Sequence, residues 1–95
     1  MQIRFQKIQK IAEKISNAKI ILYLADLGKD PIANVQGKDG VYYILLNYRI
    51  NKTEEDIIRS VSHEIVHIKF QTNDHNENFQ KEWNRIYNLF CRMMK

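Results

Sequence analysis

The chain has 95 residues, of which 44% are apolar, and its formal net charge is +4. This length suits one small domain with a thin core, to whose stability a bound metal ion or a partner subunit would contribute. The longest apolar run is far shorter than the roughly 20 residues that cross a bilayer, and the N-terminal sequence lacks the apolar stretch of a signal peptide. We therefore expect a single domain over 1–95 that is cytoplasmic and does not enter a membrane.

The cysteine count and the charge pattern exclude two further classes of site. The single cysteine, Cys91, excludes an intramolecular disulfide and a cysteine-based zinc knuckle. Basic residues are spread along the chain, and those between Arg4 and Lys14 look like the solvated side of a helix. A nucleic-acid partner is therefore not expected, since such partners are indicated by a clustered basic patch.

The first part of the chain predicts one helix and two strands. Apolar residues recur at intervals of three and four between Phe5 and Ile15, which indicates an amphipathic helix. The segment 18–27 is apolar and rich in β-branched or aromatic residues, so it predicts a mostly buried strand. A glycine and the single proline mark a turn at 27–31, and 32–36 predicts a short strand.

The segment 41–50 is the most β-like part of the sequence. It follows GKDG at 37–40, which is a hairpin signal. Alternate residues from Tyr42 to Ile50 are all apolar, so we expect that face of the strand to be wholly buried. The opposite face turns polar at Asn47.

The second half predicts two helices. Thr53 and Asp56 can form a capping box, and apolar residues then repeat at helical spacing from Ile57 to Ile68. The polar stretch 71–74 breaks the pattern, and a third helix follows from near its last residue to the C-terminus. The order α-β-β-β-α-α predicts an α+β fold with a three-stranded sheet packed on the second helix.

All three histidines of the chain lie between positions 63 and 75. His63 and His67 are four residues apart in the second helix, so both leave the same face and can reach one ion at about 2.0–2.1 Å. Glu64 points too far round the helix to bind that ion comfortably, but it is placed to take a proton from a metal-bound water. This pattern is H-E-x-x-H, here HEIVH, on an amphipathic helix.

His75 is the candidate third ligand. It opens the predicted third helix, where Phe79 and Trp83 share its apolar face, so we expect its ring to point at the second helix. Three imidazoles and a water form the open tetrahedral arrangement of catalytic zinc sites, with one zinc ion per chain. Glu77 and Asp74 are alternatives as ligands, although helix capping explains both more simply.

Residues 41–83 resemble the core of gluzincin-type zinc metallopeptidases, in a strand ending LLNYRI, a capped helix with HEIVH and a downstream HNENF. The short single domain is most similar to the minigluzincins, soluble minimal relatives of the catalytic domains of HtpX-type membrane metallopeptidases. SprT-like proteases share the H-E-x-x-H and H-x-x-x-F elements and are the nearest alternative. The resemblance implies a zincin-like fold and four site residues, namely the zinc ligands His63, His67 and His75 and the general base and acid Glu64.

The implied activity is endopeptidase hydrolysis of a protein or peptide substrate, with the peptide added as a strand to an exposed sheet edge. Either 32–36 or the polar end of 41–50 is a candidate for that edge. No fourth histidine is present to stabilise the oxyanion. Asn47, Arg49, a tyrosine or the metal alone must therefore act. The tyrosines are more simply explained as packing residues, and they are Tyr42, Tyr43, Tyr48 and Tyr87.

The C-terminal segment, about 84–95, is apolar on more than one side, which predicts burial in a second copy of the chain or in the cleft. Minigluzincins are similar, since their C-terminal segments can hold the enzyme latent. We therefore expect residues after about Trp83 to shield the zinc, with a homodimer as one form of this state. Cys91 is a candidate blocking ligand, although a lone helical cysteine is usually a small buried residue. The alternatives are a SprT-like DNA-associated protease and a catalytically inert zinc-stabilised binding module.

Overall fold

The computed structural model describes residues 3–71 and 75–95, and its elements follow the predicted order α-β-β-β-α-α. The fold is thus a small α+β domain, as predicted. None of the helices in these ranges is long and apolar enough to cross a bilayer. The elements are α1 (Phe5–Ser16), β1 (Lys19–Ala25), β2 (Ala33–Lys38), β3 (Val41–Asn47), α2 (Glu54–Phe70) and α3 (Glu77–Met94).

The sheet is mixed, and its strand order is β1-β3-β2. β1 runs parallel to the central strand β3, while β2 runs antiparallel to it. The predicted hairpin is present, because Asp39 and Gly40 connect β2 to β3 with φ angles of 54° and 79°. Positive φ at both turn residues matches the right-handed twist of the two strands.

The helices cover one face of the sheet and one another. α1 lies against β1, α2 lies against β2 and β3, and α3 packs on α1 and α2. The local signals explain α2 well, since Thr53 Oγ1 accepts from the backbone N–H of Asp56 and the Asp56 carboxylate accepts from Thr53 N–H. The fully buried core draws on every helix and on the two strands β1 and β3, through Ile8, Ala12, Ile20, Ile44, Leu46, Ile57, Val61, Val66, Phe79 and Phe90.

Two predictions about strand burial are wrong. The first strand was expected to be mostly buried, but in β1 only Ile20 is buried and Leu24 is 50% exposed. The reason is that β1 is an edge strand with helices on one face. In addition, β3 ends at Asn47, so Tyr48 leaves the face that was expected to be wholly buried and is exposed. Asn47, expected on the more polar face, is fully buried.

The third helix also begins later than predicted. The expected start near Asp74 lies outside the described residues, and α3 begins at Glu77. Asn76 is its N-cap, because the Asn76 side chain accepts a hydrogen bond from Phe79 N–H at 3.0 Å. His75 therefore precedes the helix and does not belong to its apolar face.

Asn47 fastens the turn between β1 and β2 to the end of β3. Its side-chain amide donates to the carbonyls of Gly28 and Pro31, at 2.9 and 2.7 Å. Its Oδ1 accepts from the backbone N–H groups of Leu27 and Arg49, at 3.4 and 3.2 Å. A buried amide that satisfies four backbone groups fixes a loop that has no regular structure of its own.

The two edges of the sheet differ in how they are covered. Along β1, the backbone N–H of Ile20 donates to Glu13 Oε2 at 3.1 Å and that of Leu22 donates to Gln9 Oε1 at 3.2 Å. Both acceptors lie on α1, which therefore occupies two of the donors of this edge. β2 is the opposite edge, and its side chains alternate between half-buried and exposed from Ala33 to Gln36.

We expect Asn47→Ala to lower the free energy of unfolding by about 2–3 kcal/mol, because several buried backbone groups lose their partner. Asn34→Ala, at an exposed position on β2, is the matched control and should change it by less than about 0.5 kcal/mol. Chemical denaturation of the two variants measures both values. Equal effects of the two substitutions would contradict the role of Asn47.

Candidate metal centre

Three histidine side chains converge where α2 approaches the start of α3. One ring nitrogen from each of His63, His67 and His75 lies within 4.8 Å of the other two. Nε2 of His67 and Nε2 of His75 are 3.2 Å apart. Nitrogen ligands at about 2.0–2.1 Å from a tetrahedral zinc ion lie about 3.3 Å from each other. The spacing of this pair and the donor type of all three side chains therefore fit a zinc ion.

His75 joins the cluster for a different reason from the predicted one. It was expected to face α2 as part of the third helix, but it lies in the non-helical segment before the N-cap. Its ring stacks on His63 with centres 5.0 Å apart and an angle of 14° between the planes. His75 is exposed, whereas His63 and His67 are half-buried.

Two aromatic side chains of α3 pack against the histidine cluster. Phe79 is fully buried, and its ring centre is 4.7–5.1 Å from those of all three histidines. Trp83 packs edge-to-face on His63 at 4.7 Å, and its indole N–H donates to the carbonyl of Arg59 at 3.0 Å. The sequence predicted these aromatics only as an apolar stripe, whereas in the structure they also restrict the orientation of the imidazoles.

Glu64 lies beside the histidines and is 4% exposed. Its Oε1 is 3.9 Å from Nδ1 of His63, while its Oε2 has no hydrogen-bond partner within the described part of the chain. An unpaired oxygen of a buried carboxyl group is costly. The position therefore favours a proton donor or a cation next to Glu64, and a zinc-bound water would be such a donor.

The two alternative ligands that the structure describes, Glu77 and Cys91, lie away from the cluster. Glu77 is 82% exposed in its side chain and pairs with Lys81 at 3.3 Å. Asp74 lies outside the described residues. Cys91 lines a different cavity, formed with Arg4 and other residues near the two chain ends, which does not include the histidines. Among these candidates, the geometry favours the three imidazoles as the donor set.

A cleft of about 480 Å³ adjoins the cluster. Its wall comes from the start of β2, the connection after β3, α2 and α3. The lining includes Ile32, Ala33, Asn51, Arg59, Ser60, His63, His75 and Trp83. Arg59 was missed in the sequence, although its position four residues before His63 on the same helix was a usable signal.

Three of the candidate oxyanion groups are engaged elsewhere. The Asn47 amide is bound to two loop carbonyls, and Arg49 forms two hydrogen bonds with Asp26, at 2.7 and 2.9 Å. The Tyr87 hydroxyl donates to Glu55 at 2.9 Å. These side chains would have to break existing hydrogen bonds to reach a substrate, which weakens each of them as a candidate.

Comparison with known proteins adds no assignment. No model of a protein family, no curated protein and no solved structure matches the chain. The zincin-like fold and the resemblance to minigluzincins therefore stay predictions.

A charged contact near the cluster joins α3 to α2. Glu82 on α3 accepts hydrogen bonds from Lys69 on α2 and from Arg85, with the two Arg85 bonds at 2.7 and 2.8 Å. The guanidinium of Arg85, followed by the ammonium of Lys69, lowers the pKa of Glu82 to about 2. The charged form of Glu82 thus stabilises the packing of α3 against α2, next to the histidines.

We expect Glu82→Gln to lower the free energy of unfolding at pH 7 by about 1–2 kcal/mol. Because the pKa of Glu82 in the folded chain, about 2, is below its ordinary value of 4.5, its contribution is complete above pH 4.5 and disappears as the pH falls through 2. Denaturation curves at pH 7 and at pH 2 measure this difference. A penalty of the same size at both pH values would show that the charge is not its cause; Glu77→Gln, exposed on the same helix, is the control.

Proposed function

We propose that the chain is a zinc-dependent endopeptidase in which His63, His67 and His75 hold one zinc ion and Glu64 moves the proton. One observation carries the proposal, namely the convergence of three imidazole nitrogens within 4.8 Å beside a buried carboxylate, one oxygen of which has no hydrogen-bond partner among the described residues. Structural zinc sites are usually closed by four protein ligands, whereas catalytic sites keep one position for water or substrate. Three donors, one of them exposed, match the second kind.

The chemistry divides between the ion and Glu64. When bound, zinc lowers the pKa of a water molecule toward about 7 and polarises a carbonyl group. Glu64 accepts the proton of the attacking water and returns it to the leaving amine, as a general base and then a general acid. The carboxylate is buried, and its Oε2 has no hydrogen-bond partner within residues 3–71 and 75–95, so this oxygen could accept the proton.

The edge strand β2 is the best place for an extended peptide. The polar end of 41–50 is excluded as an edge, because β3 is central, and the N–H groups of Ile20 and Leu22 on the β1 edge already bind α1 side chains. Asn47 N–H donates to the carbonyl of Ile32, so the backbone N–H and C=O groups of residue 32 point toward β3. Because these groups alternate in direction along an antiparallel strand, those of Ala33, Val35 and Gly37 point away from β3.

The cleft beside the histidines supports a peptide as the substrate. It adjoins the first residue of β2, so a peptide added to this edge would place a side chain in it. Much of its wall is apolar, through Ile32, Ala33, Ile50 and Trp83. A volume of about 480 Å³ accommodates a large side chain of the bound peptide.

Latency through residues 84–95 and a homodimer stay predictions. Ile86, Phe90 and Met94 are buried in the core, and the Met94 carbonyl accepts from Lys7 at 3.0 Å. The C-terminal half of α3 is therefore part of the domain itself. Removing it would unfold the chain, so a deletion is not a suitable test of latency.

We expect Glu64→Gln to retain zinc and to lower kcat for an unfolded protein substrate by about 10² or more, since the proton acceptor is lost. Zinc content and the rate of casein cleavage, with and without a chelator, are the measurements. Glu77→Gln is the matched control, because Glu77 is the acidic side chain closest in sequence to His75 among the described residues and is exposed.

Three outcomes would count against the proposal, and a fourth would change the kind of protease. Unchanged cleavage by Glu64→Gln would exclude the base role. Loss of zinc in Glu77→Gln would point to a carboxylate ligand. Zinc binding without cleavage by the unaltered chain would favour an inert zinc-stabilised module, and salt-dependent retention on DNA would favour a SprT-like protein.

Val35→Pro tests the edge strand. The substitution removes one outward N–H while leaving the hydrogen bonds to β3 intact, so we expect a folded protein with kcat/KM for long peptides reduced roughly tenfold. Cleavage of a dipeptide amide too short to pair with β2 should change by less than about twofold. Gln36→Pro removes an inward N–H instead and should lower the melting temperature. Full activity of folded Val35→Pro on long peptides would exclude β2 as the binding edge.

A further inference from the structure

A buried chain of hydrogen bonds joins β2, the end of β3 and α2 beside the histidines. Its centre is Asn51, in the connection from β3 to α2, which is 5% exposed. The Asn51 amide donates to the carbonyls of Ile32 and Asn47, both at 2.9 Å, and its Oδ1 accepts from Ser60 Oγ at 2.6 Å. One side chain therefore contacts three separate parts of the fold.

The two ends of this chain of hydrogen bonds, Ile32 and Ser60, both line the cleft. Ile32 is the residue immediately before β2, and its carbonyl also accepts from Asn47 N–H at 3.0 Å. Ser60 lies on α2, three residues before His63, and is itself 5% exposed. Ile32, Asn51, Ser60 and His63 all line the same cleft. The hydrogen bonds thus cross from the edge strand to the helix that carries two of the histidines.

We propose that Asn51 and Ser60 are positioning residues that set the distance between β2 and α2, and so place a bound peptide relative to the histidines. This inference rests on the proposed function. A buried hydrogen bond holds its two heavy atoms within a few tenths of an ångström, because lengthening it leaves polar groups unsatisfied. A peptide paired with β2 takes its position from that strand, so the distance from β2 to α2 decides where its carbonyl lies.

Ser62 provides a matched control for Ser60. It lies on the same helix and is fully buried, but its hydroxyl donates to the carbonyl of Ile58 at 2.7 Å, within α2. Ser62→Ala therefore removes a buried hydroxyl without touching the link to β2. Ser60→Thr keeps the hydroxyl of Ser60 and serves as the rescue variant.

The experiment compares Ser60→Ala, Ser60→Thr and Ser62→Ala in the full chain loaded with zinc. For a peptide long enough to pair with β2, we expect Ser60→Ala to raise KM roughly five- to tenfold and to leave kcat within about twofold. The backbone N–H groups of Asn34 and Asn47 point into the space between β2 and β3. Hydrogen exchange at these two amides should become faster in the same variant. Ser60→Thr and Ser62→Ala should match the unaltered chain in KM and in both exchange rates.

The two readouts separate this inference from the proposed function. If the unaltered chain cleaves no peptide, the proposed function fails, and hydrogen exchange at the two amides still decides whether Ser60 holds β2. The positioning role is overturned if Ser60→Ala leaves these exchange rates unchanged, or if Ser62→Ala accelerates them equally. A fall in kcat at constant KM would also overturn it, since the link would then act on the reacting groups rather than on peptide placement.

Discussion

The packing of α3 against α2 is the constraint on which the candidate site depends, because two histidines lie on one helix and the third lies just before the other. Phe79 is the centre of this helix interface, since its buried ring contacts all three imidazoles. Further along α3, Glu82 binds Lys69, and the Trp83 indole N–H donates to the carbonyl of Arg59. The position of His75 is therefore set by the core of the domain as well as by its own segment.

Buried polar side chains have two distinct roles in this small domain. The side-chain amides of Asn47 and Asn51 form hydrogen bonds through both their N and O atoms, and these bonds hold the irregular segments around the cleft. Glu64 is also buried, but one of its oxygens has no partner in the described ranges. Satisfied polar groups stabilise one arrangement, whereas an unsatisfied carboxylate is tolerated mainly where chemistry or a ligand needs it. This contrast distinguishes Glu64 from the structural asparagines.

The sequence predicted the structural features that depend on residues close together in the chain, and it missed those that depend on residues far apart in the chain. The capping box at Thr53, the hairpin at Asp39 and the i, i+4 pair of histidines are local patterns, and each is present in the structure. The exposure of β1 follows from the order of strands, which no local pattern contains. His75 was assigned to a helix that begins two residues later, and the bond from Ser60 to Asn51 could not be anticipated, because partners nine residues apart are chosen by the tertiary fold.

X-ray absorption spectroscopy of the full chain loaded with one zinc ion tests the central claim most directly, because it counts the ligand atoms and identifies their elements. Convergence of the three imidazoles predicts three nitrogen ligands and one oxygen ligand at about 2.0–2.1 Å, with the multiple-scattering pattern of three imidazole rings. A first shell with two or fewer imidazoles, or with a sulfur ligand at about 2.3 Å, would contradict it.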